Sequence, residues 1–273
     1  IEQIADRARS YFRTAPAVYE EGEHREFMHI PTEDVGGGPH GAYQEIYPVE
    51  MEDFLELLGY VVADGYVHSS LNRVVFGARK ERKVRAFSEL CSRLEVYGFK
   101  VVQYEAAGNQ YFAVSHKGLR NWFLDNVGVG STEKERPRWV LDLPSGQMQV
   151  LFDALMLCDG REGRSSASYS TVSSRLADDV QQMAFMLGYR SHKTVSQPGQ
   201  FSTNDTYRVL MSRRPVSICE QSCVSRERYT GTVHCFSVPT GVYVTRRNGR
   251  IAIQGNTANV SAFLAEMQVF LPE

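Results

Sequence analysis

Residues 57–65 read LLGYVVADG, and residues 152–160 read FDALMLCDG. Each segment is an apolar run that ends in Asp-Gly, which is the pattern of a buried helix stopped by a turn. An aspartate in the last turn faces the negative end of the helix dipole, so Asp64 and Asp159 both occupy unfavourable positions. One such helix end is ordinary. Two in equivalent places indicate that a bound cation offsets the cost.

Small residues recur four positions apart in both segments, at Gly59 and Ala63 and at Ala154 and Cys158. Positions four apart lie on one side of a helix, so each helix presents a stripe with little side-chain bulk. Two such stripes allow the helix backbones to approach closely. We therefore predict that the two helices pack against each other and carry their terminal aspartates to neighbouring positions.

A helix, two strands, a second helix and a second pair of strands are predicted twice along the chain. Each copy leads with one of the Asp-Gly helices, which are too apolar to face water alone. Neither copy is therefore expected to be complete without the other. The sequence predicts an α+β fold of two αββαββα repeats, related by a pseudo-twofold axis within a monomeric chain.

The composition limits the class of protein to which this chain can belong. Of the 273 residues, 42% are hydrophobic, which is enough for a real core, and the five scattered cysteines lack zinc-site spacing. Apolar runs stay short of the roughly 18–20 residues that cross a bilayer, and the N-terminal residues do not resemble a signal peptide, so we expect a cytoplasmic protein. A net charge of −2 gives no general attraction for nucleic acid, so DNA binding depends on cation clusters at 79–85, 134–138 and 246–250, which could otherwise be solvated surface.

The Asp-Gly segments, with RPRWV at 136–140 and YSTVSSRLADDVQ at 169–181, resemble the monomeric LAGLIDADG homing endonucleases over about residues 50–215. The resemblance implies the LAGLIDADG fold and Mg²⁺-dependent, site-specific cleavage of double-stranded DNA. It places the metal at the acids and the glycines that follow them. The second motif departs from the pattern, with alanine for its glycine and cysteine before its acid. The implied metal-site residues are Asp64, Gly65, Asp159 and Gly160.

Further site residues are expected on the predicted strands. Lys100 and Lys193 begin equivalent hairpins and are candidates for the catalytic basic residue; a DNA-backbone contact or a plain surface position is the alternative for each. A β-ribbon fits the major groove, where polar side chains on alternate positions reach base edges. The predicted DNA-binding residues are Arg73, Arg79, Lys80, Arg161, Arg164, Ser166, Ser168 and Ser170.

Residues 229–239, YTGTVHCFSVP, and residues 254–257, QGNT, resemble the last two conserved blocks of inteins. The side-chain amide of Asn256 can attack its own carbonyl, and the Thr257 hydroxyl can receive an acyl chain. Cys235 occupies a position that is often aspartate, and a glycine replaces the histidine usual before the terminal asparagine. Nothing in residues 1–49 resembles the N-terminal splicing blocks. Either the chain is the C-terminal piece of a split intein, partnered by an N-terminal fragment, or that N-terminal part lies outside these residues.

Two functions follow from these patterns. The first is an intein homing endonuclease attached to a C-terminal splicing segment. The alternative is a catalytically inactive LAGLIDADG-fold DNA-binding module, carried as a passenger in a splicing fragment, and the intact acids argue against it. The predicted segments are an N-terminal connection with remnants of a splicing domain (1–49), the two repeats (50–128 and 129–220), a β-rich C-terminal part of a Hint-type splicing domain (221–256) and a C-extein tail (257–273).

Overall fold

The structure is a computed structural model that describes residues 9–13, 22–31, 47–68, 70–198, 203–214, 216–220, 230–232, 238–239 and 241–255. The predicted splicing residues Cys235, Asn256 and Thr257 lie outside these ranges, as does the predicted tail. Within the described residues, no helix is long and apolar enough to cross a membrane.

The first repeat follows three short strands, and its elements succeed one another as the periodicity predicts. The leading strands are β1 (Arg9–Arg13), β2 (Phe27–Met28) and β3 (Val49–Glu50). The repeat itself contains α1 (Met51–Asp64), β4 (Gly65–Val67), β5 (Arg73–Ala78), α2 (Glu81–Val96), β6 (Lys100–Ala106), β7 (Asn109–Ser115) and α3 (Lys117–Val127).

The second repeat has the same order, after a short 3-10 helix at Arg138–Asp142. Its elements are α4 (Ser145–Asp159), β8 (Gly160–Glu162), β9 (Ser166–Thr171), α5 (Ser174–Met186), β10 (Arg190–Ser196) and β11 (Thr206–Ser212). Three strands follow: β12 (Val216–Glu220), β13 (Val242–Arg247) and β14 (Arg250–Gly255). The sequence pattern predicts a strand over residues 164–172. The structure has β9 within this range, and the three-residue β8 precedes it.

Antiparallel pairing builds two main sheets from these strands. The first has the order β4-β5-β7-β6, and the second has the order β8-β9-β11-β10-β14-β13. The first four strands of the second sheet repeat the arrangement of the first. The predicted mixed α and β architecture with a duplicated antiparallel unit is therefore confirmed. Within residues 1–49, Arg9–Arg13 pairs with Val216–Glu220 as a two-stranded sheet, which the sequence did not predict.

Local signals explain where several helices begin and end. The Ser173 hydroxyl accepts a hydrogen bond from the Leu176 N–H at 3.1 Å and caps the start of α5. Gly98 and Gly188, both at positive φ, follow α2 and α5, where a glycine after an amphipathic run in the sequence predicts the end of a helix. Asn248 and Gly249 are also at positive φ and form the two-residue turn between β13 and β14.

The core is one apolar cluster that spans both repeats. Phe54, Leu55 and Leu58 of α1 and Leu151 and Leu155 of α4 are at most 1% exposed. Each such side chain contributes about 1.5–3 kcal/mol relative to an exposed position. Because both leading helices lie in this shared core, the ends of the two helices have a fixed relation to each other.

Candidate catalytic and DNA-binding site

The leading helices α1 and α4 approach each other through their small residues. A Cβ atom built on Gly59 would lie 2.4 Å from the Cβ of Ala154, far inside van der Waals contact. Glycine is thus required at position 59 by the approach of the partner helix. The predicted close packing of the two small-residue stripes is confirmed, and the alanine that departs from the second motif is the residue that faces this glycine.

Both helices end in the same way, with an aspartate followed by a glycine that starts a strand. The N–H of Gly65 donates to the Val61 carbonyl, and the N–H of Gly160 donates to the Met156 carbonyl. A Cβ on Gly65 would lie 2.6 Å from the Val61 Cα, and one on Gly160 would lie 2.4 Å from the Met156 carbonyl oxygen. These turns leave no room for a side chain, so the Asp-Gly pairs have a steric cause.

The two aspartates are neighbours at the foot of the helix pair. Asp159 is accessible to solvent, but its pKa is raised to about 6. The larger cause is partial burial of the carboxyl, and the second is the negative charge of Asp64. Burial and, after it, the charge of Asp64 raise the pKa of the Cys158 thiol. The repulsion between acids predicted from the sequence is therefore present, and it acts on Asp159.

Lys83, in the first turn of α2, partly offsets this repulsion. Its Nζ lies 2.5 Å from Asp64 Oδ2, and the residue is only 8% exposed. The charge of Lys83 also lowers the pKa of Asp159, ahead of smaller effects from Lys134 and Lys80. Because an ammonium group this enclosed needs a partner, the ion pair holds Asp64 in place.

Lys134, from the connection between the repeats, covers the end of α1. Its Nζ donates to the carbonyl oxygens of Gly65 at 2.7 Å, Val61 at 3.1 Å and Ala63 at 3.5 Å. Burial lowers the pKa of Lys134, and the charges of Asp159 and then Asp64 oppose that shift. A positive charge at a helix C-terminus stabilises the helix, and here it also stands beside both acids.

The sequence pattern does not indicate that Lys83 and Lys134 belong to this centre, although both lie in the cation clusters at 79–85 and 134–138. Their proximity to the acids depends on how α2 and the connection fold back onto the helix ends. The positions of the two lysines along the sequence do not show that they contact the acids.

Oxygen donors dominate the space around the two acids. Asp64 and Asp159 offer carboxylates, and the Gly65 carbonyl is nearby, held by Lys134. Among the described residues there is no group of three or more His, Cys, Asp or Glu side chains that could hold a metal ion. Two carboxylates suit Mg²⁺, which usually takes one or two protein carboxylates and completes its shell with water and phosphate oxygens. The residues therefore fit the metal that the motif resemblance implies.

A pocket of mixed lining adjoins this centre on the side of the second repeat. It is lined by Asp159, Lys134 and hydroxyl-bearing residues from β9 and β11, including Ser170, Thr171 and Thr206. The pocket thus joins Asp159 to Ser170, which lies on the side of the second sheet that faces away from the helices. We call this side the second open face.

Serines and arginines line the second open face. Tyr169 of β9 and Val209 of β11 are fully buried on the helix side, so the alternation of a strand turns their neighbours outward. Arg161 pairs with Ser168, and Arg208 pairs with Ser170, in the cross-strand register. Predicted DNA-binding residues that share this face are Arg161, Ser166, Ser168 and Ser170; Arg164 lies in the turn before β9.

The corresponding side of the first sheet, the first open face, is aromatic at its centre. Tyr104 and Tyr111 stack with ring centroids 5.3 Å apart, and the Tyr66 hydroxyl interacts with Tyr104. Arg73 and Lys100 both pair with Ser115 on opposite sides of β7, so they share this face with the tyrosines. Arg79 and Lys80 follow β5 in the turn into α2.

The two lysines predicted to be catalytic lie in different surroundings. Lys100 is exposed at the start of β6, on the first open face. Lys193 pairs with Val209 in register, so it lies on the helix side of its sheet, where its Nζ forms an ion pair with Asp178 of α5. The lysines that the structure brings to the acids are Lys83 and Lys134.

Comparisons with known proteins found similarity over part of this chain. No family model matches the chain. Over 188 residues, 62% of this chain, the sequence is 26% identical to the A subunit of DNA gyrase from Mycolicibacterium flavescens, and the chain spans 33% of the length of that protein.

Similar solved structures include mesophilic variants of the homing endonuclease I-DmoI, with 17% identity, a TM-score of 0.45, and coverage of 60% of this chain and 90% of that chain. I-DmoI in complex with DNA and Mn has 17% identity, a TM-score of 0.43, and coverage of 60% and 91%. The N-terminal LAGLIDADG domain of DUF199/WhiA has 10% identity, a TM-score of 0.38, and coverage of 59% and 75%. Structures of LAGLIDADG proteins are thus among those to which this chain is similar.

Proposed function

We propose that the chain is a Mg²⁺-dependent, site-specific endonuclease that cuts both strands of duplex DNA. The observation that carries this proposal is the pair of aspartates at the ends of two close-packed helices. Asp64 and Asp159 come from equivalent positions of the two repeats, and they are close enough for the charge of one to raise the pKa of the other. Two equivalent acids on a pseudo-twofold axis match the two antiparallel strands of a duplex.

The chain's own residues have distinct roles in this proposal. Asp64 and Asp159 would hold Mg²⁺, which when bound supplies Lewis-acid stabilisation of the charge that develops on phosphate oxygens. Lys83 pairs with the Asp64 carboxylate and holds it in position. Lys134 places a positive charge beside both acids without occupying the open faces. The serines and arginines of the second open face bind the duplex and orient its phosphates toward the acids.

One observation favours a second candidate, a DNA-binding module that does not cleave. Lys83 and Lys134 together supply two positive charges to the acid pair, so the helix ends are balanced without a metal. In that case the acids would be structural, and divalent cations would change neither binding nor the DNA backbone.

The test is incubation of the purified chain with a randomised library of DNA duplexes, with Mg²⁺, with Ca²⁺ and without divalent cation. We expect a small set of sequences to be cut on both strands in Mg²⁺ only, and the ends are identified by sequencing. Recovery of bound but uncut sequences under all three conditions would favour the non-cleaving module.

We also propose that the C-terminal part is a protein-splicing segment in which Cys235, Asn256 and Thr257 act. This rests on the sequence of residues 229–239 and 254–257. We expect cyclisation of Asn256 to wait for upstream steps, so the chain alone keeps residues 257–273. Supplying an N-terminal intein fragment should release them, and Asn256→Ala should block that release, as followed by mass spectrometry. Complete loss of the tail from the chain alone would contradict the need for a partner fragment.

A further inference from the structure

The hairpin formed by β13 and β14 belongs in sequence to the proposed splicing segment, but in the structure it extends the second sheet. β14 pairs with β10, with His192 opposite Arg250. The Lys193 N–H donates to the Gly249 carbonyl at 2.8 Å. A sheet edge that would otherwise be open is therefore covered by residues from outside the two repeats.

Contacts with α5 hold the hairpin in this position. Gln181 Nε2, which is buried, donates to the same Gly249 carbonyl at 2.7 Å. Arg246 Nη1 lies 2.7 Å from Asp178 Oδ1, the carboxylate that also pairs with Lys193. A Cβ on Gly249 would lie 2.2 Å from the Lys193 carbonyl oxygen, so the turn fits closely against β10.

The register carries one row of side chains across all six strands. Residues directly opposite in an antiparallel pair point to the same face, so one row can be followed from strand to strand. This row lies on the second open face, because it contains Ser168, the neighbour of the buried Tyr169. Its members, from β8 to β13, are Arg161, Ser168, Leu210, His192, Arg250 and Arg247.

Positive charge is concentrated in the outer half of this row. Arg190 and Arg250 both stand near enough to His192 to lower its pKa, after the larger effect of burial. Arg247 and Arg250 are exposed, and neither forms an ion pair with another described residue. Arg246 points to the helix side, where Asp178 neutralises it. One arginine of the hairpin, Arg246, therefore docks the hairpin on α5, whereas Arg247 and Arg250 lie on the second open face.

We propose that this hairpin is part of the DNA-binding surface, with Arg247 and Arg250 binding backbone phosphates of the duplex at the outer edge of the second open face. This rests on the proposed function and adds a contact region beyond the two repeats. With strands about 4.8 Å apart, the six-stranded row spans about 24 Å, against about 14 Å for the four-stranded first sheet. The bound site should therefore extend farther on the side of the second repeat.

The test measures binding of a duplex of about 40 mixed-sequence base pairs by fluorescence anisotropy, between about 50 and 200 mM salt. Each phosphate contact contributes about 0.9 to the slope of log affinity against log salt, so Arg247→Gln with Arg250→Gln should lower the slope by about 1.8. Over this salt range, the double variant should lose about tenfold less affinity than the parent. Arg247→Lys with Arg250→Lys keeps both charges and should keep the parental slope.

The control is Arg25→Gln, which removes a charge near the start of α4 that belongs to none of the three cation clusters. It should leave the slope unchanged. A parental slope for the Gln double variant, with the hairpin intact by hydrogen exchange of β14, would overturn the hairpin contact while leaving the proposed nuclease standing. A parent chain that binds no duplex at any salt concentration would overturn the proposed function and this inference together.

Discussion

The two open faces differ in chemistry although the repeats share one topology. The first presents the tyrosines of β4, β6 and β7, with Arg73 and Lys100 to one side. The second presents serines, Arg161 and Arg208, and the C-terminal hairpin widens it. Duplication has therefore kept the backbone while the outward positions diverged. We expect the second face to supply most of the electrostatic attraction for phosphate and the first to supply contact area.

The C-terminal ends of α1 and α4 also differ in chemistry although they share one backbone arrangement. Asp64 has Lys83 as an ion-pair partner, and the carbonyls at the end of α1 are covered by Lys134. At the end of α4, Arg82 makes a longer hydrogen bond of 3.5 Å to the Leu157 carbonyl, and Asp159 has a raised pKa. The backbone turns that place the two acids are thus equivalent, whereas the balance of charge around the acids is not.

The largest expected effect concerns the packing that the two repeats share. Gly59→Ala should destabilise the chain by about 2–3 kcal/mol, because the new Cβ would overlap Ala154 and force the helices apart. Gly146→Ala, in the partner helix, has no atom within 4 Å of the added Cβ and should leave stability unchanged or slightly raised. Urea unfolding measures both. Adding Ala154→Gly to Gly59→Ala should recover part of the loss.

An effect of intermediate size would distinguish the contributions of the two open faces to duplex binding. Replacing Arg161 and Arg208 with Gln should weaken duplex binding about tenfold at low salt and flatten its salt dependence, because two phosphate contacts are lost. Tyr104→Ala on the first face should weaken binding by a similar factor at all salt concentrations, since it removes contact area without charge. Equal salt slopes for the two variants would mean that the faces do not differ in this way.

A smaller effect would distinguish the two aspartates. The folded-state pKa of Asp159 is raised to about 6 from an ordinary value of 3.8, so its ionisation disfavours the folded state. Asp159→Asn should therefore raise the Tm by a few degrees above about pH 6, and the difference from the parent should vanish as the pH falls below about 4. Asp64→Asn should instead lower the Tm at neutral pH, because Lys83 loses its partner. Thermal scans across this pH range check the sign for each variant.

Much of this architecture is readable in the sequence because local chemistry agrees with the fold. The apolar runs before Asp64 and Asp159 predict the paired helices, and Gly98 and Gly188 end the helices where the sequence places them. Alternation and turn residues in the sequence predict a hairpin of residues 190–196 and 206–212, and β10 and β11 have these bounds.

Other features depend on contacts that no local pattern contains. The docking of β14 on β10 requires Gln181 and Asp178 on a distant helix, and the pairing of β1 with β12 joins segments that are far apart along the chain. Lys83 and Lys134 look like ordinary surface cations until tertiary folding encloses them. The strand β8 is three residues long, too short for its alternation to be recognised.

The most direct test of the account is cleavage by the two acid variants at a site recovered from the randomised library. Asp64→Asn and Asp159→Asn should each abolish double-strand cleavage in Mg²⁺ while binding the same duplex within a few-fold of the parent, because each carboxylate holds metal and neither contacts bases. Asp153→Asn, an acid in the middle of α4 outside the pair, is the matched control and should cut like the parent. Double-strand cleavage at the parental rate by either Asp64→Asn or Asp159→Asn would contradict the claim that the two helix ends form one metal-dependent centre.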